Sequence, residues 1–201
     1  MQKIFNLGNS WLSNIFISLI MQTFIAILRG INVGRKRKIK MADLRKNLKD
    51  LGYENIRTYI QSGNVIFKSH HHSKQELEEQ IESMIREEYE FNVPAIVKTS
   101  EELHGIWHGN PYVNERNEDI AKLHVTFLTE APTQVQKQTI SEIDHPTDEF
   151  VVDGEFIYLF CPEGYGRTKF NNQFFERKLD VKATTRNWKT VRKLYEMSNT
   201  E

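Results

Sequence analysis

The sequence lacks most of the features by which enzymes are usually recognised. It has no Walker loop, no GxGxxG after an apolar run, no GxSxG and no HExxH, which excludes the enzyme classes that depend on these motifs. Its only cysteine, Cys161, has no partner for an internal disulfide or a CxxC pair, and a lone thiol is typical of a reducing compartment. We therefore expect a cytoplasmic protein without a metal or a cofactor.

The chain also lacks net charge, with 27 Lys and Arg against 27 Asp and Glu, but the charges are unevenly distributed. Residues 29–49 hold nine basic residues and one acid, residues 74–155 hold 19 acids and six basic residues, and residues 167–193 hold nine basic residues and two acids. Two basic blocks thus flank an acidic middle. The blocks are either ordinary solvated faces or the two halves of a basic cleft.

Long apolar runs are absent except near the N-terminus, where residues 11–28 carry no charge and a basic cluster follows. This pattern is compatible with a membrane segment. Polar residues interrupt the run, however, and its second half is better suited to a buried strand. We therefore expect residues 1–20 to be an upstream extension, Met21 to open the folded part, and the protein to have no integral membrane association.

Apolar periodicity and turn residues predict the secondary structure of the rest of the chain. Strands are expected at 23–29, 56–60, 65–69, 93–99, 123–129 and 181–184, with a further hairpin at 149–160. Helices are expected at 41–52, 73–91, 100–109, 133–143, 171–180 and 186–197. The order is βαββαβ followed by a helix, and it occurs twice.

This repeated order indicates an α+β protein with two ferredoxin-like units in tandem, each followed by a short helix. The predicted boundaries are 21–109 for the first unit, 110–121 for a linker and 122–201 for the second unit.

The last helices of the two units can be matched by pattern. Thr184 and Thr185 then correspond to Thr99 and Ser100, and Trp188 takes the place of Leu103. The match is one of residue type and is weak in residue identity.

Two glycine-containing loops precede predicted helices and carry several cations. We call residues 30–40 the first basic loop and residues 164–171 the second basic loop. Glycine lets backbone amides approach a ligand closely, the cations can bind an anion, and the positive end of the following helix can add to the site. The two loops therefore share one design.

The start of the last helix adds Arg186, Asn187 and Trp188, which can receive a phosphate or stack on a base. The alternative for Trp188 is a buried core residue at a capped helix start.

His104 and His108 stand four residues apart on a predicted helix, a spacing that can hold a metal ion. Gly105 occupies the position where a zincin has its glutamate, and the sequence marks no third ligand. We interpret the two histidines as surface or part-buried residues.

Five motifs in order, LRGINVG, KIKMADLR, RTYIQSGNVIF, YGRTKFNN and ATTRNWKTV, resemble the family known as domain of unknown function 1697. The resemblance extends over about residues 21–197 and implies a compact two-unit α+β protein of the bacterial cytoplasm, with no implied activity. Arg35 and Arg37 depart from the family pattern and make the first basic loop more basic. The motif residues other than Gly63, together with Lys38, form the predicted ligand site: Arg29, Gly30, Asn32, Gly34, Lys38, Gln61, Ser62, Asn64, Gly166, Arg167, Lys169, Asn171, Thr185, Arg186, Asn187 and Trp188.

Three functions remain open from the sequence. The first is binding of a phosphorylated small molecule, a nucleotide or a nucleic acid through the two basic loops. The second is an enzyme of unrecognised class with a polar cleft between the units, although no acid, base or nucleophile is identifiable. The third is a structural or regulatory module whose polar motifs tie the units together by hydrogen bonds.

Overall fold

The computed structural model describes residues 21–34, 36–71, 73–143 and 145–200, so the predicted extension at 1–20 lies outside the described residues. The strands are β1 (Gln22–Leu28), β2 (Glu54–Tyr59), β3 (Asn64–Ser69), β4 (Ala95–Thr99), β5 (Leu123–Leu128), β6 (Glu149–Asp153), β7 (Phe156–Phe160) and β8 (Ala183–Asn187). The helices are α1 (Met41–Asp50), α2 (Lys74–Tyr89), α3 (Ser100–His108), α4 (Pro111–Asn114), α5 (Gln134–Ser141), α6 (Asn172–Leu179) and α7 (Trp188–Ser198). Short 3-10 turns cover Ile120–Lys122 and Tyr165–Arg167.

The strands form two four-stranded antiparallel sheets with matching orders, β2-β3-β1-β4 and β6-β7-β5-β8. In each sheet the first strand of the unit lies in the interior and the last strand lies at an edge. The molecule is therefore of the α+β class, as the sequence predicts.

Strand β1 is apolar over residues 24–28 because both of its faces are covered. In β1, Phe24 and Leu28 belong to a core packed against α1 and α2, whereas Ile25 and Ile27 belong to a second core. A strand buried on both faces needs a continuous apolar run instead of an alternating one, and residues 24–28 are all buried.

A central core joins the two sheets. It combines Ile25 and Ile66 of the first sheet with Phe127 and Tyr158 of the second, and Trp188 of α7 also belongs to it. Each sheet has a further core of its own on the opposite face. The two halves of the chain are thus packed together over apolar surface.

The last strand and last helix differ in position from the sequence prediction. Strand β8 extends to Asn187 instead of ending at 184, and α7 begins at Trp188 instead of 186. Asn187 caps α7 as Thr99 caps α3. The helices therefore align with Thr99 opposite Asn187, so the predicted match of Thr99 with Thr184 is wrong by three residues.

Among the described residues, no helix combines the length and the apolar character needed to cross a bilayer.

Candidate functional site

Arg186 connects the two sheets at the end of β8. Its Nε donates to Asn64 Oδ1 at 2.6 Å, and its Nη2 donates to the carbonyl oxygens of Leu28 (2.7 Å) and Ser62 (3.0 Å). Its Nη1 donates to Thr184 Oγ1 and to the Thr185 carbonyl. All five guanidinium N–H groups are thus used on neutral oxygens.

Burial lowers the pKa of Arg186 to about 10, so the side chain still carries its charge at neutral pH. With every donor occupied, this guanidinium is committed to holding the first sheet against the second. The ligand contact predicted for Arg186 is therefore not supported by its hydrogen bonds, which match the structural role instead.

The turn between β2 and β3 receives Arg186 and is itself internally bonded. Asn64 is fully buried, and its Nδ2 donates to the Tyr59 carbonyl and to Ser62 Oγ. Gly63 has φ +76°, and its carbonyl accepts from the Leu28 amide at 2.7 Å. The turn is consequently fixed beside the end of β1.

A second polar cluster lies on the outer face of the second sheet. Thr185 Oγ1 lies 2.8 Å from Thr126 Oγ1, accepts from Tyr165 Oη at 2.9 Å and donates to Asn172 Oδ1 at 2.6 Å. The Tyr165 ring also stacks on His124, whose buried Nδ1 has no hydrogen-bond partner among the described residues. This cluster fixes the second basic loop and the start of α6 to the sheet.

Arg29 brings the first basic loop to the second unit. Its Nη1 forms an ion pair with Glu176 of α6, and Glu176 also accepts from the Ala183 amide at the start of β8. The Arg29 side chain is 28% exposed, and this is its one hydrogen bond to the described residues. Burial raises the pKa of Tyr165 in the second basic loop, and the positive charge of Arg29 opposes this shift by a small amount.

Asn32 holds the first basic loop in shape. Its side chain donates to the carbonyls of Ile39 (2.9 Å) and Gln61 (2.8 Å) and accepts from the Ile39 amide. Gly30 has φ +70°, and a Cβ placed on it would lie 3.5 Å from Nη1 of Arg37. Asn32 therefore attaches the loop to the β2–β3 turn.

The cations of the two loops are exposed. Lys36, Arg37 and Lys38 have no ion-pair partner among the described residues, and the same holds for Lys169. Arg167 lies 3.9 Å from Glu163 and is 78% exposed. The flanking predicted residues Gly34, Gln61, Gly166 and Asn171 are also exposed, and Asn171 caps α6.

Trp188 does not take part in this surface. It is 1% exposed and stacks on Trp107 with ring centroids 4.9 Å apart, so no base can reach its ring. The predicted ligand role of Trp188 is corrected to that of a core residue. Asn187, at the same helix start, accepts from the Thr190 amide as the cap of α7.

The predicted segments thus meet. The bonds above join five segments, and we call the region that they form the inter-unit node. It consists of Leu28 and Arg29, the β2–β3 turn, Tyr165, the start of α6 and the end of β8.

The comparisons with known proteins identify the family. The family described as "Protein of unknown function (DUF1697)" matches residues 21–158.

The chain belongs to this family.

One solved structure that this chain is similar to is that of the conserved bacterial protein SP0830 from Streptococcus pneumoniae. It superposes with a TM-score of 0.70 at 28% identity, and the match covers 90% of the present chain and 100% of the other. No curated protein matches the sequence. The motifs YGRTKFNN and ATTRNWKTV lie beyond the family match, which ends at 158.

This DUF1697 chain has a second inter-unit contact, built on Lys98. Lys98 is the penultimate residue of β4, as Arg186 is of β8. Its Nζ donates to the Leu128 carbonyl at 3.3 Å and pairs with Glu155, which also pairs with Lys74. Burial lowers the pKa of Lys98, and Glu155 opposes this shift.

Beside Lys98 lies a cleft of about 380 Å³ whose walls are rich in carboxylates, including those of Glu78, Glu82 and Glu155. Glu78 and Glu82 accept from the Val97 and Ala95 amides, so these carboxylates are used by the fold.

Several residues of the two inter-unit contacts were not predicted from the sequence as site residues. Tyr165 and Asn172 stand inside the motif YGRTKFNN, which offered a signal. Glu176 is one of only two acids in the basic block 167–193, which marks it as a partner for an arginine. Lys98 had no comparable signal, because it is a single lysine in an apolar strand.

The histidines form no metal site in the described part of the chain. His104 and His108 are exposed with ring centroids 4.3 Å apart, and no group of three suitable ligands is found among the described residues.

Proposed function

We propose that this protein binds a phosphorylated ligand on the surface formed by the two basic loops at the inter-unit node. The proposal rests mainly on Arg29. Its guanidinium is partly exposed and forms a single side-chain hydrogen bond to the described residues. A guanidinium has five N–H donors in a fixed fork that suits phosphate oxygens. Arg29 therefore has donors left for an anion, whereas Arg186 has none.

The surroundings of Arg29 favour an anionic ligand. The guanidinium of Arg37 lies beside Gly30, and Lys36 and Lys38 follow in the same loop without acidic partners among the described residues. Exposed unpaired cations raise the local concentration of anions and their association rate. Glu176 offsets only one of these charges.

The bonded node supplies a fixed base for this surface. Asn32 attaches the first basic loop to the β2–β3 turn, and Tyr165 attaches the second basic loop to β8 through Thr185. Groups that are held in place before binding lose less entropy when the ligand arrives. The buried motif residues thus position the exposed ones.

We also infer that each unit is ferredoxin-like, with units at 21–109 and 122–201 joined by the segment 110–121. The support is the strand order, in which the fourth, first, third and second strands of each unit lie side by side. The cytoplasmic location expected from the sequence stays a prediction.

Replacement of Arg29 by glutamine tests the proposed function. Fluorescence anisotropy with a labelled oligonucleotide, and thermal-shift assays with nucleotides and sugar phosphates, give the affinity of the native protein. The R29Q variant should bind about tenfold or more weakly, since a hydrogen bond to a charged group contributes about 1.5–3 kcal/mol.

R192Q is the matched control, because it removes one positive charge from an exposed residue that pairs with Glu196 on α7. R192Q should bind nearly as tightly as the native protein. If the ligand is a nucleic acid, the affinity of the native protein should fall steeply with added salt. No binding of any phosphorylated compound, or equal loss in R29Q and R192Q, would contradict the proposal.

A further inference from the structure

Resting on the proposed function, we propose that the ligand is a single strand of nucleic acid, whose bases contact Val33 and Ile60 while its phosphates contact the first basic loop. The two residues are among the few large apolar side chains exposed on the described surface. Ile60 lies in the β2–β3 turn of the inter-unit node and Val33 lies in the first basic loop, each within one residue of the hydrogen bond between Asn32 and Gln61.

Ile60 is held in an unfavourable conformation and is nevertheless exposed. It follows β2 with φ +51°, a left-handed value that β-branched residues rarely adopt, and 52% of its surface is accessible. Such a conformation costs of the order of 1–3 kcal/mol and persists where the surroundings enforce it, often at binding sites. Burial of its own side chain does not offset that cost.

Val33 lies on the loop that faces this turn. It is 71% exposed and directly follows Asn32, whose Nδ2 donates to the Gln61 carbonyl at 2.8 Å. Because Gln61 directly follows Ile60, the two aliphatic residues flank one hydrogen bond. This bond therefore brings together the two backbone segments that carry the exposed apolar side chains, next to the loop that carries Lys36, Arg37 and Lys38.

The combination of an apolar patch with unpaired cations selects the class of ligand. A sugar phosphate offers charge beside a mostly hydroxylated surface, and a duplex keeps the faces of its bases stacked inside. A single strand presents phosphates at regular intervals together with unstacked bases that pack on apolar or aromatic side chains. Charge complementarity and the exposed apolar pair therefore both match a single strand of DNA or RNA.

The test compares three fluorescent probes of equal length by anisotropy: oligothymidylate, oligouridylate and an abasic strand with the same phosphates. The native protein should bind at least one base-containing strand several-fold more tightly than the abasic strand. Comparison of oligothymidylate with oligouridylate shows whether the protein prefers DNA or RNA.

The variant I60N distinguishes the loss of a base contact from a loss of folding. Asparagine tolerates the left-handed conformation, so I60N should unfold at the same temperature as the native protein or higher. It should bind the base-containing strand about fivefold more weakly, as expected for losing buried apolar surface, and bind the abasic strand unchanged. V135A, at another exposed valine on α5, serves as the control and should bind normally.

Each outcome decides a different claim. Equal affinity for abasic and base-containing strands, or normal binding by I60N, overturns the base contact and leaves the phosphate-binding function in place. No binding of any strand, with binding of a nucleotide or sugar phosphate in the thermal-shift assay, overturns the single-strand ligand alone. No binding of any phosphorylated compound overturns both.

Discussion

At the scale of single residues, the inter-unit node is unusual for its backbone conformations. Gly30, Asn32 and Gly34 in the first basic loop have positive φ, and so do Ile60 and Gly63 in the β2–β3 turn. Glycine adopts this region freely and asparagine tolerates it, whereas isoleucine does not. The glycines and the asparagine therefore suit the backbone shape of the site, whereas Ile60 and also Arg37 of the first basic loop (φ +51°) adopt a conformation that their side chains disfavour. Of these two residues only Ile60 is β-branched, for which the conformation is the more unfavourable.

Gly63 should be the least replaceable of these glycines. Its φ is +76°, and an added Cβ would lie 2.7 Å from Leu28 Cβ and 2.9 Å from Ile31 Cδ1. The variant G63A should lose about 3 kcal/mol or more of unfolding free energy in urea denaturation, because the strained conformation and the clash add together.

G34A is the control for the conformation without the clash, since Gly34 has φ +63° and nothing lies within 4 Å of its added Cβ. It should lose only about 1 kcal/mol. Equal losses in the two variants would show that the close packing of Gly63 against Leu28 has no energetic effect.

Arg29 and Arg186 differ in the number of their free hydrogen-bond donors, which the sequence does not reveal. Both were predicted as ligand contacts from their motifs. Arg186 uses all five of its N–H donors, three of them on oxygens of the distant residues Leu28, Ser62 and Asn64, whereas Arg29 forms one side-chain hydrogen bond to the described residues. Motifs identify important arginines, but the number of free donors depends on contacts between residues more than 100 positions apart.

At the scale of elements, carboxylates from helices cover the edges of both sheets. Glu82 and Glu78 of α2 accept from the Ala95 and Val97 amides of edge strand β4. Glu176 of α6 accepts from the Ala183 amide of edge strand β8. Unpaired edge amides invite pairing with other chains, and these helices satisfy some of them within the protein.

Two variants of Glu78 separate the effect of its hydrogen bond to the edge strand from the effect of its charge. In E78A the Val97 amide loses its acceptor, and the unfolding free energy should fall by about 1–3 kcal/mol. E78Q keeps an acceptor oxygen at the same place, and burial already raises the pKa of Glu78, so this variant should stay within about 0.5 kcal/mol of the native protein. The measurement is chemical denaturation at neutral pH, and equal destabilisation of both variants would refute the hydrogen-bond account.

Most elements were predictable because their signals are local. The first strand contains the continuous apolar run 24–28, and the strand around 123–129 is rich in apolar residues. The helix predicted at 73–91 has a capping serine, Ser73, that accepts from the Glu76 amide. The boundary between β8 and α7 was misplaced because its residues are polar. Thr184 and Arg186 are extended because they pair with β5 and because Arg186 donates hydrogen bonds to the first unit. Both kinds of contact involve residues far away in the sequence.

At the scale of the whole molecule, two equivalent residues link each unit to the other. Arg186 of β8 donates to the Leu28 carbonyl at the end of β1, and Lys98 of β4 donates to the Leu128 carbonyl at the end of β5. The central core between the sheets contains residues from both units. The repeated βαββαβ order thus produces two related inter-unit contacts, one at the basic loops and one at the carboxylate-lined cleft.

Arg186 should contribute more to stability than any exposed arginine of the basic loops. R186K keeps the charge but cannot reach the five oxygens of the guanidinium, so the unfolding free energy should fall by about 2–4 kcal/mol. Because the central core is shared, unfolding should remain a single transition in both fluorescence and circular dichroism. R167K, at a 78% exposed position, is the control and should stay within about 0.5 kcal/mol; a native-like R186K would contradict the account of the node.

The central claim is that two loops distant in the sequence form one binding surface. The most direct test is an NMR titration of the ¹⁵N-labelled protein with a single-stranded oligonucleotide, with amide shifts followed residue by residue. We expect concerted shifts in residues 30–40, 60–63 and 164–171, and unchanged amides along Glu78–Glu82 beside the carboxylate-lined cleft. Shifts confined to one loop, or centred on that cleft, would contradict the claim.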